Sequence, residues 1–551
     1  GNTTGVINAA SVTKISGAID PLIAVYTAAP TNNSGTIINL GTVVTVEGST
    51  TVTKLNQLAA LGDSSLVATV SNGDAASLIQ LSETHAFTIE ITDTSITAAN
   101  LNTINSKTTV AVDASDVTTI TGTAANANTA YAAAASNEFS GLGNEAVTLT
   151  DTNLNASVLH TLDGYTTGIV NANTVTNLVG TASEVDSVYT AYNIAQINNL
   201  GNETVTLSGN TSVADTNTIN AYTTGVVTAT IAEGDMSTLA GLNGDQNQVF
   251  TVTVTDASIV ASALNTLEAK TSLSVTATAV TTITGSAADV ESLYTYKENS
   301  RLSTSGSEKL TLTDSSVTIA EIDEISDKTT GVVTATIASG TYSALSAIQE
   351  TSNNLDLTIT GQITVAEANT IAARTIGTIT GTISTNDATT LATLNETGHA
   401  WTITIATTSV TTAQLTAINN ATTVDITATA VTLITGNASA ANTAYSSGFT
   451  GLGNEAITLD DTSLAVATLN TLNGNTTGAV NAATINTLTG GAAAMNTAYT
   501  AGGNGEITNL GNEAITLDDT SLAVATLNTL NGNTTGVVNA ATINTLTGAA
   551  A

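Results

Sequence analysis

Acidic side chains recur at fixed positions of this sequence and are its clearest candidates for chemistry. An aspartate follows β-rich segments in the pattern Asp-x-Ser or Asp-x-Asn, and a glutamate closes recurring Gly-Asn-Glu turns. Carboxylate oxygens at chain bends are the ligands that Ca²⁺ prefers. Alternatively, the aspartate or the serine after it caps the return helix of its own coil. Both interpretations stay open. The sequence predicts calcium ligands at Asp256, Asp314, Asp461, Asp519, Glu455 and Glu513.

The net charge supports the calcium interpretation and excludes one class of partner. The 551 residues include 44 Asp and Glu but 9 Lys and Arg, which gives a formal charge of −35. Such a charge repels itself along the chain, and divalent counter-ions at some of the acids would relieve the repulsion. The sequence contains no EF-hand loop and no Gly-Gly-x-Gly-x-Asp nonapeptide tract. An acidic surface also repels phosphate backbones, so we expect no nucleic-acid partner.

The three histidines do not form a catalytic pattern. His160 occupies the Asn position of a recurring Leu-Asn-Thr-Leu run, while His85 and His399 precede equivalent strands in ETHAFTI and ETGHAWTI. We interpret all three as repeat variants near turns, since nothing pairs them with a nucleophile. The chain has no cysteine, which excludes thiol chemistry and thiolate zinc sites. Polysaccharide hydrolysis would need a local cluster of carboxylates, usually with Arg or Lys, and such a site would break the repetition. The two arginines and seven lysines are scattered and the sequence shows no such break. The sequence therefore predicts that the protein is not an enzyme.

Tyrosines mark the edge from which variable inserts leave. Six of them end the same type of run, and we interpret them as anchors that pack beneath the inserts. The insert after Tyr294 contains Lys297, Arg301 and Lys309, and we expect this basic cluster to meet an acidic face of another copy. The six anchors are Tyr26, Tyr131, Tyr189, Tyr294, Tyr445 and Tyr499.

Internal repeats specify the elements that must position these side chains. The segment 453–490 recurs at 511–548, an offset of 58 residues, with Val537 in place of Ala479 as the single difference. Across the chain, β-rich segments recur about every 22 residues, which gives about 20 in all. A near-constant step of this length is typical of a solenoid, in which each coil places one strand parallel to the previous one. The sequence therefore predicts one continuous solenoid over residues 1–551.

Two kinds of return segment fit this solenoid. The run ATLNTL at 467–472 spaces its leucines three residues apart, which favours a short helix. The Thr- and Val-rich run VTTITG at 280–285 equally suits a further β-segment. We predict a repeat solenoid of parallel β-strands with short helical returns, and a right-handed parallel β-helix is the alternative. In either case the strand near Val252 pairs with strands near Val226 and Leu273.

The two ends of the sequence fall inside repeat units. Gly1-Asn2-Thr3-Thr4-Gly5 matches the interior run 474–478, and the last residue, Ala551, interrupts a unit. Solenoids need polar caps on their terminal coils, so we interpret the chain as a segment of a longer repeat array. No apolar run approaches the ~18–20 residues of a membrane span, and the N-terminus has no basic signal-peptide region.

The units resemble those of very long secreted repeat proteins of Gram-negative bacteria. These are RTX-type surface proteins, giant adhesins and S-layer-like proteins, in which strings such as DTSLxxATLNTLxxxTTGVVxAxxVTTLTG recur. The similarity covers essentially the whole chain. It implies extracellular export, calcium binding and a structural or adhesive role, although the chain departs from the RTX pattern in lacking the nonapeptide calcium repeat and a secretion signal.

Composition, repetition and resemblance together predict a structural protein of the cell exterior. We expect a non-catalytic, calcium-stabilised protein that assembles with itself into an S-layer, sheath or filament. The alternative is the stalk of a giant adhesin or fibre that presents a binding head elsewhere in the chain. The expected partners are further copies of the chain and a cell-surface polysaccharide, with no nucleic acid and no membrane span.

Overall fold

The computed structural model describes residues 12–28, 43–62, 64–446 and 448–548. The chain forms two compact units. The first comprises the described residues of Gly1–Asp256 together with Ala263–Ala279 and Tyr296–Ser303. The second comprises Ala257–Ser262, Val280–Thr295 and the described residues of Thr304–Ala551. Residues 1–11 and 549–551, on which the prediction of a longer array rests, lie outside the described residues, and continuity of one solenoid over 1–551 stays a prediction.

The pattern of a single coil follows from the alternation of its residues. In the strand Ala456–Leu459, Ile457 and Leu459 are buried while Thr458 is half-buried. A bend and a second short strand, Ser463–Ala465, follow and lead into the helix Val466–Asn475. That helix buries Val466, Leu469 and Leu472, which lie three residues apart. The core therefore lies between the inward side chains of the strands and one stripe of each helix.

The first unit contains five parallel sheets or strand pairs in its described residues. Their strands, in spatial order, are as follows. One sheet contains Lys14–Gly17, Val43–Thr50, Ser65–Val70 and Ala86–Thr88; a second contains Ser95–Thr97, Thr119–Gly122, Ala146–Leu149, Val170–Asn171 and Ile197–Asn198; a third contains Asn153–Asn155, Asn177–Gly180, Thr204–Thr211, Val227–Ile231 and Val249–Thr251; the two pairs are Val112–Asp113 with Phe139–Ser140 and Val275–Thr276 with Leu302–Ser303.

The second unit repeats this arrangement. Its described strands form three sheets and two pairs. One sheet contains Ser258–Val260, Thr282–Gly285, Lys309–Leu312, Val333–Thr336, Asn354–Ile363, Ile379–Ile383 and Ala400–Thr402; a second contains Ser409–Thr411, Leu433–Gly436, Ala456–Leu459, Val480–Asn481 and Ile507–Thr508; a third contains Ser463–Ala465, Thr487–Gly490, Ala514–Leu517 and Val538–Asn539; the pairs are Ile426–Thr427 with Phe449–Thr450 and Ser521–Ala523 with Thr545–Thr547.

Short helices form the returns, and helices of successive coils pack against each other within each unit. Most begin at a Thr, Ser, Asn or Asp whose side chain accepts a hydrogen bond from the first turn, as Thr181 does from the Glu184 N–H. The helices are Ile19–Ala28, Val52–Ala59, Ala75–Leu78, Ala98–Asn105, Ala124–Ala135, Ala156–Tyr165, Ala182–Asn193, Val213–Asn220, Met236–Leu239, Ala261–Glu268, Ala287–Glu298, Ile319–Ser326, Tyr342–Leu345, Val365–Ala372, Ala388–Leu391, Thr412–Ala421, Ala438–Ser446, Val466–Asn475, Ala492–Gly503 and Val524–Asn533.

The predicted fold class is confirmed. The segment around Val252 pairs in parallel with a coil on each side, through Val249 with Thr228 and through Thr253 with Thr276, so this coil contacts both of its sequence neighbours. Helical returns distinguish the structure from a pure β-helix. The structure also differs from the prediction of one strand per coil, because a bend divides many coils into two short strands, as the run 460–462 does between Ala456–Leu459 and Ser463–Ala465.

Candidate functional site

The recurring aspartates link the coils that carry them to the coils before them. The carboxylate of Asp461 accepts a 2.7 Å hydrogen bond from the backbone N–H of Ala438, the first residue of a helix 23 positions earlier. A negative charge at a helix N-terminus is favourable, because the first amides lack intrahelical partners and the helix dipole is positive there. Sequence reasoning placed the cap on the return helix of the same coil, and the structure places it on the preceding coil. The other predicted aspartates do the same: Asp256 accepts from Met236, Asp314 from Ala287 and Asp519 from Ala492, each at 2.7 Å.

The predicted glutamates are buried beneath the inserts. Glu455 and Glu513 are 0% exposed, and they accept hydrogen bonds of 2.8 and 2.9 Å from the hydroxyls of Tyr445 and Tyr499. Backbone N–H groups of the Gly-Asn-Glu turns donate to the same carboxylates, Gly453 at 2.9 Å among them. Each tyrosine precedes an insert and each glutamate follows it, so the pair closes the insert at its base. Equivalent pairs are Tyr131 with Glu145, Tyr189 with Glu203 and Tyr294 with Glu308.

These pairs confirm, for five of the six tyrosines, the prediction that they anchor the inserts. The residues 29–42 that follow Tyr26 lie outside the described residues, and the Tyr26 hydroxyl lies 3.3 Å from that of Ser64. The electrostatics of the pairs fix the direction of the hydrogen bond. Burial, and then the charge of Glu145, raises the pKa of Tyr131 far above its ordinary value, so the tyrosine remains the donor. Burial opposes ionisation of Glu308, but hydrogen bonds from Ser305 and from backbone N–H groups outweigh it and lower the pKa of Glu308. Glu308 therefore remains an ionised acceptor although its side chain is buried.

A buried threonine forms a corner in each of several coils. Thr476 donates from Oγ1 to the carbonyl of Glu455 at 2.7 Å and accepts from the N–H of Gly478 at 3.0 Å. We call this the threonine corner. The same donation, to a carbonyl 20 or 21 residues earlier, comes from Thr108, Thr166, Thr223, Thr271, Thr329, Thr375, Thr422 and Thr534. It satisfies a buried carbonyl of the preceding coil that the short strands leave without an amide partner.

One residue of the basic cluster in the insert after Tyr294, Arg301, forms its contacts within this chain. The guanidinium of Arg301 forms an ion pair with Glu268, whose side chain is 1% exposed, and donates to the carbonyls of Glu268 and Thr271 at 3.3 and 2.7 Å. Burial raises the pKa of Glu268, and the charge of Arg301 opposes the rise. Equivalent positions elsewhere carry the neutral–acidic pairs Asn105 with Glu138 and Asn473 with Glu506. Sequence reasoning missed Glu268, which lies 33 residues before its partner.

The histidines occupy two kinds of place. His160 is exposed on its helix. His399 is 5% exposed, and the backbone N–H of Ile379 donates to its Nδ1 at 3.3 Å; His85 receives the N–H of Leu66 in the same way at 3.4 Å. Their predicted equivalence is confirmed, while their role as acceptors was not foreseen.

The six predicted calcium ligands do not converge. Each of the four aspartates accepts from a backbone N–H of the preceding coil, and each of the two glutamates accepts from a tyrosine hydroxyl. The described residues contain no group of three or more His, Cys, Asp or Glu side chains arranged to hold a metal ion. Calcium binding stays a prediction.

Asp461 separates capping from calcium binding. Because alanine removes the acceptor of the Ala438 amide, we expect Asp461→Ala to lower the free energy of local unfolding by about 1–2 kcal/mol. Asp461→Asn should cost much less, since an amide oxygen also accepts. Asp460→Ala, at the exposed neighbouring acid, is the charge-matched control. Thermal melts with CaCl₂ and with EDTA complete the test: a calcium-dependent rise in Tm that both Asp461 variants lose would support calcium, and an unchanged Tm in EDTA would contradict it.

The comparisons with known proteins identify no family. No family model matches the chain and no curated protein matches it. Among solved structures, the leucine-rich-repeat ectodomain of the Arabidopsis receptor kinase HAESA, in complex with an N-terminally extended IDA peptide hormone, aligns over 92% of this chain and 82% of its own, with 10% identity and a TM-score of 0.12. Within the described ranges no helix has the length and apolar character needed to cross a membrane.

Proposed function

We propose that this chain is a non-catalytic structural repeat protein of the cell exterior that assembles with further copies of itself into a lattice, sheath or filament. The observation that supports a structural role is the use of its recurring polar side chains. Aspartates, Tyr–Glu pairs and threonine corners each bind a neighbouring coil or the base of an insert, and they do so at corresponding positions of successive repeats. Such side chains stabilise the interfaces between adjacent repeats, which are the source of stability in repeat proteins.

Exposed aliphatic side chains support self-assembly. Within three residues after a threonine corner, several coils carry a Val, Ile or Leu that faces solvent, and we call these the corner aliphatics. They are Val110, Ile169 and Leu273 in the first unit, and Ile376, Val424 and Val537 in the second. Their exposure ranges from 38% at Leu273 to 75% at Val537. One such side chain contributes little on burial, but repetition multiplies weak contacts between copies.

Assembly through many weak contacts has a testable signature. We expect Ile376→Ser alone to leave assembly nearly unchanged, because one contact among many is lost. Replacing all six corner aliphatics by serine should shift the concentration for half-assembly upward by at least about tenfold, since each lost contact adds to the loss. Sedimentation velocity and electron microscopy over a concentration series measure both effects.

The matched control replaces six exposed threonines next to the corners, such as Thr109, Thr167 and Thr423, by serine, which alters the same region without removing large apolar groups. Loss of assembly from Ile376→Ser alone would contradict the distributed interface. A wild-type chain that stays monomeric at every concentration would contradict self-assembly and favour the stalk of an adhesin or fibre.

A further inference from the structure

Four coils share one hydrogen bond that the rest of the fold does not explain. The residue directly before a strand turns its side chain back to the preceding coil and accepts from the backbone N–H at the start of the adjacent strand. Such a bond ties two successive coils at the entrance to the sheet. The pairs are His85 with Leu66 at 3.4 Å, Gln248 with Val227 at 2.6 Å, Asn353 with Val333 at 2.9 Å, and His399 with Ile379 at 3.3 Å.

The side chains at this position differ in one property. Gln248 and Asn353 accept through an amide oxygen that does not titrate between pH 5 and 8. His85 and His399 accept through Nδ1, which therefore carries no proton, so each ring is neutral with its hydrogen on Nε2. Both rings are enclosed, His399 at 5% exposure and edge-on to Trp401 with centroids 5.6 Å apart, and His85 edge-on to Phe87 at 5.3 Å.

We propose that His85 and His399 are acid-sensitive locks, one in each unit, which hold their coil to the preceding one at neutral pH and release it when the imidazole takes up a proton at Nδ1. Protonation removes the acceptor and turns Nδ1 into a donor that faces the N–H of Leu66 or Ile379. The buried amide then has no partner, and the charged ring lies in a place with little water. Both effects favour opening of the coil.

The charged groups around each ring are few and have defined effects. The carboxylate of Glu83 lies 3.4 Å from Nε2 of His85. Lys107 lies on the following coil, and its backbone carbonyl accepts a hydrogen bond from the backbone N–H of His85 at 3.2 Å. The charge of Glu396 acts on His399. Burial lowers the pKa of both histidines below the ordinary 6.5, and the glutamates oppose it.

The sign of the pH dependence follows from this lowering. The folded coil binds fewer protons than the open coil, whose histidine has an ordinary pKa, so opening becomes easier as the pH falls below about 6.5. Each histidine adds one proton on opening. The opening equilibrium therefore rises by up to about tenfold per pH unit below that value, until the histidine of the folded coil itself becomes protonated. Carboxylates titrate mostly below pH 5, so the interval from pH 7.5 to 5 isolates the histidines.

Hydrogen–deuterium exchange of the full chain tests the proposal, with rates corrected for intrinsic pH dependence. Between pH 7.5 and 5, protection at the start of strands Ser65–Val70 and Ile379–Ile383 should fall by about tenfold or more. Protection of Val227–Ile231 and Val333–Thr336, which receive Gln248 and Asn353 in the same geometry, should stay constant. These two strands are internal controls in the same molecule.

Substitutions at these four positions should remove or create the pH dependence of amide protection. His85→Gln and His399→Asn should remove the pH dependence at their own strand and leave it at the other. Gln248→His should create it at Val227–Ile231, a gain that keeps the test decisive if a histidine variant folds poorly. Equal loss of protection in all four coils, or constant protection in the histidine coils of the wild-type chain, would overturn the proposal.

Discussion

Replacing Gly478 by alanine will open the coil interface next to Glu455, whereas the same change at Gly474, four residues earlier, will leave stability nearly unchanged. A Cβ on Gly478 would lie 2.3 Å from the carbonyl oxygen of Glu455 and 2.7 Å from the amide nitrogen of Ala456. Backbone atoms cannot rotate away as a side chain can, so the two coils must separate. Separation breaks the 2.7 Å hydrogen bond from Thr476 to the Glu455 carbonyl. We expect a loss of about 3 kcal/mol, at the upper end for overpacking.

Gly474 supplies the matched control. It lies in the helix Val466–Asn475 and a Cβ there meets nothing within 4 Å. Alanine is the better helix former, so Gly474→Ala should be neutral or stabilising by up to about 1 kcal/mol. Urea denaturation and amide exchange of residues 456–481 measure both variants. Similar stabilities for the two would show that the corner does not require glycine. The same close approach recurs at Gly168, Gly225, Gly331 and Gly536, with Cβ-to-oxygen distances of 2.1–2.2 Å.

Repetition made the solenoid predictable, but it concealed the partners of the polar residues. The constant step between β-rich segments was sufficient to predict parallel coils, because a strand and its successor share one register. The cap formed by Asp461 was assigned to its own coil, since capping is normally local in sequence. Stacking places the helix start at Ala438 within hydrogen-bond distance of Asp461, and this proximity appears only in three dimensions.

The buried glutamates show the same limit. The sequence predicts Glu455 and Glu513 as metal ligands because they are carboxylates that recur at turns, and it gives no sign that they are buried. A usable signal was present, because Tyr499 precedes Glu513 by 14 residues and three other pairs keep the same spacing. Four inserts that vary in sequence but keep one Tyr-to-Glu spacing indicate that the two ends of the insert contact each other, although the spacing of the fifth pair, Tyr445 and Glu455, is 10 residues.

Removing the carboxylate of Glu203 should have one of the largest effects on the first unit. Glu203 is 2% exposed, accepts from the hydroxyl of Tyr189, and receives the N–H groups of Gly201 and Asn202 at 2.7 and 3.1 Å. Glu203→Ala leaves three buried or partly buried donors without an acceptor. Since each unsatisfied buried donor costs about 1–3 kcal/mol, the expected loss is about 3–5 kcal/mol of local stability. Amide exchange of residues 197–207 measures it.

Tyr189→Phe should cost less than Glu203→Ala, about 1.5–3 kcal/mol, because the carboxylate keeps its two backbone donors. The double variant should be less destabilised than the sum of the single changes, since phenylalanine no longer presents an unpaired hydroxyl, and the difference measures the coupling. Tyr192→Phe on the same helix, at a half-buried ring, is the control and should cost little. Equal losses of stability from Tyr192→Phe and Tyr189→Phe would show that the Tyr189–Glu203 pair does not close the insert. Additive effects of Tyr189→Phe and Glu203→Ala would show the same. A non-additive loss of stability confined to residues near 189–203 would instead show that the buried Tyr189–Glu203 hydrogen bond holds this insert to its coil. Pairs of this kind at the base of the inserts explain how inserts can vary in sequence between coils while the solenoid beneath them stays constant.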